Sequence, residues 1–245
     1  GGFWHGRSLP GEMWIDGVFM GGMFLVRYGS LIGDSDACFD EVAHQIVCLA
    51  DHCRKGDSGL FLHAYDERRA ASWANPITGL SSEVWSEGLG WYALILVEAL
   101  SRWPANHAGH AAVRTILEEL LHGLLRAQDP VSGLWYQVVD KGTLPDNWTD
   151  TSGSAMFVYA LQRASELGIG PTGECALAAR RGYAGLRSRA VLAADGGVDI
   201  IRACDGVCVQ NSYHDYVAYP QTVNAKEAVG SMLWAATIMD WPTAS

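Results

Sequence analysis

The stretch WSEGLGWYALILVEAL, residues 85–100, is apolar on nearly all sides once its first few positions are passed. A helix with so little polar surface is stable only when neighbouring elements cover most of it. Similar apolar stretches lie at 153–161 and 229–239. By contrast, 37–53 and 107–129 repeat apolar residues at i, i+3, i+4 and i+7, the spacing of a helix with one exposed face. The sequence therefore predicts buried helices alternating with amphipathic ones.

Each apolar helix has an acidic residue at its start. The four segments are WIDGVFMGG at Asp16, WSEGLGWYA at Glu87, WTDTSGSAM at Asp150 and AKEAVGSML at Glu227. They recur at intervals of roughly 70 residues, which indicates an internal repeat of helical units.

A second pair of similar strings supports the repeat. GLFLHAYDE occupies 59–67 and GLWYQVVDK occupies 133–141, each between an amphipathic helix and the next apolar one. A repeat of this kind is typical of an all-α toroid with apolar helices inside and amphipathic helices outside. We therefore predict a single all-α domain over residues 1–245.

Composition narrows the functional class. The net charge of −10 argues against a nucleic-acid partner, which would need a basic face. No apolar run is long enough to cross a membrane. The six cysteines lack the spacing of a disulfide-rich domain or a zinc site, so we predict mostly buried thiols. The ten tryptophans suit a cleft that stacks on sugar rings.

Asp16 lies among Met, Trp, Ile, Val and Phe side chains, where an ionised carboxylate is costly unless it is paired or used. An acid at a helix start can simply be a cap or a first-turn residue favoured by the helix dipole. Four such acids at one rim of a toroid instead favour a sugar-binding cleft, since tryptophans flank them: Trp14, Trp85, Trp91 and Trp148.

The motifs WIDGVFM, GLFLHAYDE, WANPITGLSSEVWSEGLGWYALILVEAL, GLWYQVVD and VNAKEAVGSMLWA follow one another in this chain. In that order the sequence resembles glycoside hydrolase family 105, the unsaturated rhamnogalacturonyl hydrolases, and the related family 88, the unsaturated glucuronyl hydrolases. The resemblance implies an (α/α)6 barrel. Because such a barrel has six inner helices and this chain shows four, we expect the N-terminal hairpins to be lacking. Apolar faces uncovered in this way would need the missing segment or a partner chain, self-association included.

The resemblance also implies an activity on oligosaccharides that polysaccharide lyases leave from pectin-type polymers such as rhamnogalacturonan. The C4=C5 bond of the terminal unsaturated uronic acid is hydrated, and the product opens and releases the next sugar. One carboxyl group can act as general acid and then as general base if it starts protonated. Asp16 matches the catalytic aspartate, and its apolar surroundings are expected to raise its pKa. His63 matches the active-site histidine.

The residues expected to contact the sugar surround these two. They are Trp14, Met20, Trp85, Glu87, Trp91, Asp150, Tyr213 and Lys226. Glu87 stands where many family members carry arginine, a change of two charge units that puts the substrate and the activity in question. Core packing is the alternative for the tryptophans, and pairing with Glu227 or solvent is the alternative for Lys226.

No cofactor or metal is expected, since the H-x-x-D of His63 and Asp66 offers only two ligands. A bacterial cytoplasmic location is the expectation. Three classes of protein fit a helical toroid. The first is the unsaturated uronyl hydrolase, and the second is a non-catalytic sugar-binding or structural remnant. The third, another (α/α)6 enzyme such as a two-carboxylate glycosidase or an epimerase, fits the fold but not the order of the motifs.

Overall fold

The computed structural model describes residues 1–240, which form eight helices and eight short strands. The helices are α1 Gly17–Leu31, α2 Ser35–Cys53, α3 Ser86–Arg102, α4 His110–Ala127, α5 Thr151–Glu166, α6 Thr172–Arg187, α7 Tyr213–Val217 and α8 Lys226–Asp240. The strands are β1 Glu12–Trp14, β2 Ala64–Asp66, β3 Trp135–Tyr136, β4 Thr149–Asp150, β5 Ala190–Leu192, β6 Val198–Ile200, β7 Ala203–Cys204 and β8 Gln221–Thr222. A single 3-10 turn spans Gly56–Ser58.

The long helices form two layers. Helices α1, α3, α5 and α8 lie side by side in that order as the inner layer. Outside them, α2 packs on α1, α4 on α3 and α6 on α5. The predicted alternation of inner apolar and outer amphipathic helices is confirmed, and all four acid-headed segments begin inner helices.

Two-stranded antiparallel ribbons join the layers and were not predicted. Strand β1 pairs with β2, β3 with β4, β5 with β6 and β7 with β8. In the first ribbon Trp14 lies opposite Ala64, and in the second Trp135 lies opposite Asp150. Because β1 ends shortly before α1 and β4 runs directly into α5, these ribbons position the starts of two inner helices.

Burial differs among the inner helices. Helices α3 and α5 are buried along nearly their whole length. Helix α1 exposes Phe24 to 67% and α8 exposes Leu233 to 65%, so the prediction of a helix buried on most sides is wrong for α8. The reason is that, within residues 1–240, α8 packs mainly against α5 and to a lesser extent α6. None of the helices in this part of the chain has both the length and the apolar character needed to span a bilayer.

The repeated strings owe their first residue to a close backbone crossing. Gly59 and Gly133 have φ angles of +69° and +72°, a region that favours glycine. A Cβ at Gly59 would lie 2.3 Å from the carbonyl oxygen of Glu119 in α4, and one at Gly133 would lie 2.5 Å from that of Arg181 in α6. Each glycine therefore lets its connection cross tightly over the next outer helix.

The cysteines are all free thiols. Cys38, Cys53, Cys175 and Cys204 are buried, Cys48 is half-buried, and only Cys208 is exposed. The expectation of mostly buried thiols is confirmed, and the core is held by apolar packing among the inner and outer helices.

Candidate active site

A cavity of about 470 Å³ opens at the N-terminal ends of α1, α3 and α8. Its walls combine acids with aromatic rings, an arrangement suited to a sugar. The side chains that line it include those of His5, Trp14, Asp16, Met20, Trp85, Glu87, Trp91, Asp205, Lys226 and Glu227. A second cavity of about 640 Å³ shares His5, Trp14 and Met20 with it and adds the cation Arg7. The two cavities adjoin at the three shared residues.

Asp16 lies between two imidazole rings. Its Oδ1 is 3.7 Å from His63 Nε2, and its Oδ2 is 3.8 Å from His5 Nδ1. Both distances exceed the length of a hydrogen bond. Asp16 Oδ1 and the two facing ring nitrogens are buried, and none of them has a hydrogen-bond partner within residues 1–240. Such unpaired groups are costly, and catalytic hydrogen bonds of this kind often tighten when substrate binds.

The tautomer of His63 is set by Tyr216. The Tyr216 oxygen accepts a hydrogen bond from the backbone N–H of Gln210 at 3.2 Å and lies 2.6 Å from His63 Nδ1. Burial raises the pKa of Tyr216, so its hydroxyl group stays protonated and donates a hydrogen bond to Nδ1 of His63. Burial also lowers the pKa of His63. The neutral ring therefore carries its proton on Nε2, facing Asp16.

The charge of Asp16 differs from the sequence-based expectation. Burial raises the pKa of Asp16, but the neighbouring His63 and His5 more than offset this and leave the pKa lowered. The expectation of a raised pKa is therefore wrong for the free protein, because the sequence did not show that two imidazoles flank the carboxyl group. In the absence of ligand, an ionised Asp16 faces a neutral His63.

Replacing Tyr216 by Phe should release the tautomer of His63. Without the phenolic donor, no hydrogen bond from Tyr216 favours an unprotonated Nδ1, so the Nδ1–H form should gain population. Nitrogen-15 NMR of histidine-labelled protein would show this as a shift of the His63 ring signals. Tyr219→Phe is the matched control, since Tyr219 packs in the same apolar cluster without contacting His63. Unchanged His63 signals in Tyr216→Phe would contradict the assigned tautomer.

Most of the residues predicted to bind sugar do line the cavity. Trp14 stacks on His5 with ring centroids 4.0 Å apart, and Trp85 lies 4.5 Å from His63. Trp91 and Met20 also line it. Lys226 stands at the rim, 90% exposed, with its Nζ 3.7 Å from Glu227 Oε1. Aromatic faces and one rim cation thus surround Asp16.

Two of the predicted residues lie elsewhere. Asp150 is fully buried, does not line the cavity, and caps α5 by accepting the backbone N–H of Gly153 at 2.7 Å. The alternative reading of an acid as a helix cap therefore fits Asp150. The hydroxyl of Tyr213 is 2.7 Å from Asp146 Oδ1, and its ring lies under Lys141, outside the cavity.

The carboxylate of Asp66 accepts hydrogen bonds from the backbone of the turn that follows it. It accepts backbone N–H groups of Arg68, Ala70 and Ala71 at 2.9, 2.7 and 2.8 Å. Within residues 1–240, His, Cys, Asp and Glu side chains nowhere form a group of three that could hold a metal ion.

Sequence reasoning missed His5, Arg7 and Asp205. The turn between Gly6 and Gly11 brings His5 back onto β1, where its N–H donates to the carbonyl of Glu12 at 2.7 Å. The only sequence signal was a histidine beside an aromatic residue in GGFWHG. Arg7 and Asp205 lie in connections that no helical pattern could position.

The model of Glycosyl Hydrolase Family 88 matches residues 1–240. Protein Atu3128 of Agrobacterium fabrum is 40% identical over 164 residues, which cover 66% of this chain and 69% of that protein. The unsaturated rhamnogalacturonyl hydrolase YesR of Bacillus subtilis is 28% identical over 159 residues, or 65% of this chain and 43% of YesR.

Solved structures agree. A family 105 glycoside hydrolase from C. acetobutylicum superposes with a TM-score of 0.90 and 32% identity, covering 96% of this chain and 67% of that one. The fold of the unsaturated glucuronyl hydrolase from Bacillus sp. GL1 matches with a TM-score of 0.68 and 16% identity, over 98% of this chain and 62% of that one. These matches confirm the resemblance to families 88 and 105. The chain belongs to glycosyl hydrolase family 88.

Proposed function

We propose that this chain is a hydrolase of 4,5-unsaturated uronyl oligosaccharides, the products of lyases that cut rhamnogalacturonan and related pectin-type polymers. Asp16 is the general acid and base, and His63 orients it. The observation that carries the proposal is a single carboxyl group flanked by two imidazoles at the floor of an aromatic-walled cavity. Family membership and the similarity to YesR support the same substrate class.

Asp16 must take up the proton that it donates when the substrate binds. In the free protein the pKa of Asp16 is lowered by His63 and His5 against the effect of burial, so the carboxyl group is ionised. A uronate carboxylate brought into the cavity is a second negative charge, and like charges favour the protonated form of Asp16. Substrate binding therefore converts Asp16 into an acid.

The chemistry then uses one carboxyl group twice. Protonated Asp16 gives its proton to C4, and the positive charge that develops at C5 is shared with the ring oxygen. Water attacks C5 while the Asp16 carboxylate takes one of its protons, which restores the acid. The hemiketal opens by cleavage of the bond between C5 and the ring oxygen, which leaves a ketone at C5 and a hemiacetal at C1. The hemiacetal breaks down to an aldehyde and releases the neighbouring sugar as an alcohol. The Nε2–H of His63 faces Asp16 and stabilises its carboxylate form.

Two alternative functions would use the same cavity. A two-carboxylate glycosidase needs one protonated and one ionised carboxyl group beside the scissile bond. Glu87 and Glu227 both line the cavity, but Glu227 lies 3.7 Å from Lys226 and Glu87 is hydrogen-bonded to Ser152. A non-catalytic sugar-binding protein would use the same aromatic walls without the chemistry at Asp16.

The test is the loss of ultraviolet absorbance from the C4=C5 bond. The substrate is a lyase digest of rhamnogalacturonan, and the matched control is the same oligosaccharide with a saturated terminal uronate. We expect absorbance to fall only with the unsaturated sugar, together with release of the adjacent residue. Release from the saturated control would support a two-carboxylate glycosidase. Binding without any loss of absorbance would support the non-catalytic protein.

A further inference from the structure

The hydroxyl group of Ser152 lies between two buried carboxyl groups behind the cavity wall. Its Oγ is 2.8 Å from Glu87 Oε2 and 2.8 Å from Asp150 Oδ2. A serine hydroxyl has one proton to donate. It cannot donate to both carboxyl groups, so the two short contacts require a second proton, carried by Glu87 or by Asp150.

The other hydrogen bonds decide which group carries it. Asp150 accepts the backbone N–H of Gly153 at 2.7 Å and that of Cys204 at 3.0 Å, in addition to the Ser152 hydroxyl. Burial raises the pKa of Asp150, but these three donors favour its ionised form. Glu87 is 2% exposed and, within residues 1–240, hydrogen-bonds only to Ser152. The proton therefore belongs to Glu87.

The surroundings of Glu87 favour the same assignment. The titratable groups on the elements around it are mostly acidic: Asp16 at α1, Asp150 at α5, Cys204 and Asp205 at the β7 ribbon, Lys226 and Glu227 at α8, and the imidazoles of His5 and His63. Lys226 is 90% exposed and faces Glu227. Burial and the neighbouring Asp150 raise the pKa of Glu87 well above its ordinary value.

We propose that Glu87 is held as a neutral carboxylic acid through Ser152 by the ionised Asp150, and that this proton lets the cavity accept an anionic sugar. Glu87 donates to Ser152 Oγ, Ser152 donates to Asp150 Oδ2, and Glu87 Oε1 is left to accept a hydroxyl of the sugar. The protonation does not depend on the proposed function, whereas the effect on uronate binding rests on it. Glu87 is then a specificity-determining residue.

Infrared spectroscopy of the unliganded protein tests the proton itself. At neutral pH, a carbonyl stretch of a protonated carboxylic acid should be present in the parent and lost in Glu87→Gln. Ser152→Ala should shift this band because its hydrogen-bond acceptor is removed, while Ser86→Ala, which removes the neighbouring buried serine hydroxyl, should leave it in place. A parent spectrum without the band would overturn the proposal, whatever the activity of the protein.

Ligand binding tests the consequence of the proton. Galacturonate and galactose are titrated against tryptophan fluorescence from neutral to alkaline pH, because the pKa of Glu87 is raised well above its ordinary value. Ionisation of Glu87 should weaken galacturonate binding by about tenfold or more, because a second charge then faces the ligand carboxylate. Galactose, which has no charge, should bind nearly equally throughout.

Glu87→Gln is the decisive comparison in this titration. Its amide can still donate to Ser152 and does not titrate. All other titratable groups of the cavity are retained, including the thiol of Cys208. We expect its affinity for galacturonate to stay flat with pH. The same pH-dependent weakening in this variant would overturn the role of Glu87, and so would a parent that fails to bind galacturonate at any pH. Loss of absorbance from unsaturated sugars is measured separately and decides only the proposed hydrolase.

Thermal stability gives a third readout with a defined sign. An unfolded chain releases the Glu87 proton near pH 4.3, its ordinary pKa, whereas the folded chain keeps it to higher pH. The folded state therefore loses stability as the pH rises from that value through the folded pKa. The melting temperature of Glu87→Gln relative to the parent should rise over this interval. A constant difference across the interval would contradict a proton held on Glu87.

Discussion

Asp16→Asn should lower the rate of hydration of an unsaturated uronyl disaccharide by about 10²- to 10⁴-fold, the usual contribution of a positioned acid and base. Asparagine has nearly the same shape as aspartate but can neither deliver a proton to C4 nor take one from water. Asp16 makes no capping hydrogen bond to α1, so the change removes no hydrogen bond from the start of that helix. The fold and the aromatic walls of the cavity should therefore persist.

The kinetic comparison needs a control for a general loss of charge. Asp36→Asn removes an exposed carboxylate from the first turn of α2, and Asp36 lines neither of the two cavities. It should change the rate less than twofold, in line with the small effects of surface substitutions. Circular dichroism and binding of galacturonate would show that both variants are folded. An Asp16→Asn variant with nearly the parental rate would exclude Asp16 as the acid.

Gly133→Ala should lower the free energy of unfolding by about 3 kcal/mol, the sum of a backbone and a packing effect. The left-handed φ of +72° is unfavourable for alanine, and the added Cβ would lie 2.5 Å from the carbonyl oxygen of Arg181. Since the obstacle is helix backbone, no side chain can move away to relieve it. Urea denaturation followed by circular dichroism would measure the change.

Gly168→Ala separates the two effects. Gly168 has a φ of +70°, almost the same as Gly133, but a Cβ there would meet no atom within 4 Å. It should therefore show only the backbone effect of about 1 kcal/mol. Equal destabilisation by the two substitutions would mean that the crossing of Gly133 over α6 does not restrict this position.

The helical layers follow from the sequence because apolar periodicity reports burial directly. The pattern in 107–129 predicts the amphipathic α4, and the apolar run in 85–100 predicts the buried α3. The repeated GLFLHAYDE and GLWYQVVDK strings were recognisable, and their structural reason lies in Gly59 and Gly133. Asp16 and His63 were identified by resemblance, and the structure brings them to 3.7 Å of each other.

The remaining features depend on contacts between distant segments. Tyr216 is 153 residues from His63 in sequence, yet it sets the ring tautomer. His5 reaches Asp16 only because a turn folds it onto β1. The same repeat motif starts α3 and α5, but Glu87 lines the cavity and Asp150 is a buried cap. Local patterns cannot distinguish these outcomes, because burial is decided by the elements that pack above each acid.

Nuclear magnetic resonance of the reaction in deuterated water is the most direct test of hydration at Asp16. A galacturonate-type unsaturated disaccharide is incubated with the parent protein, and the first-formed product is followed before it rearranges. The proposed chemistry predicts one solvent deuteron at C4, a carbon signal of a hemiketal at C5, and loss of the vinyl proton signal. A product that keeps the C4=C5 bond while the glycosidic bond is cleaved would contradict hydration and identify an ordinary glycosidase.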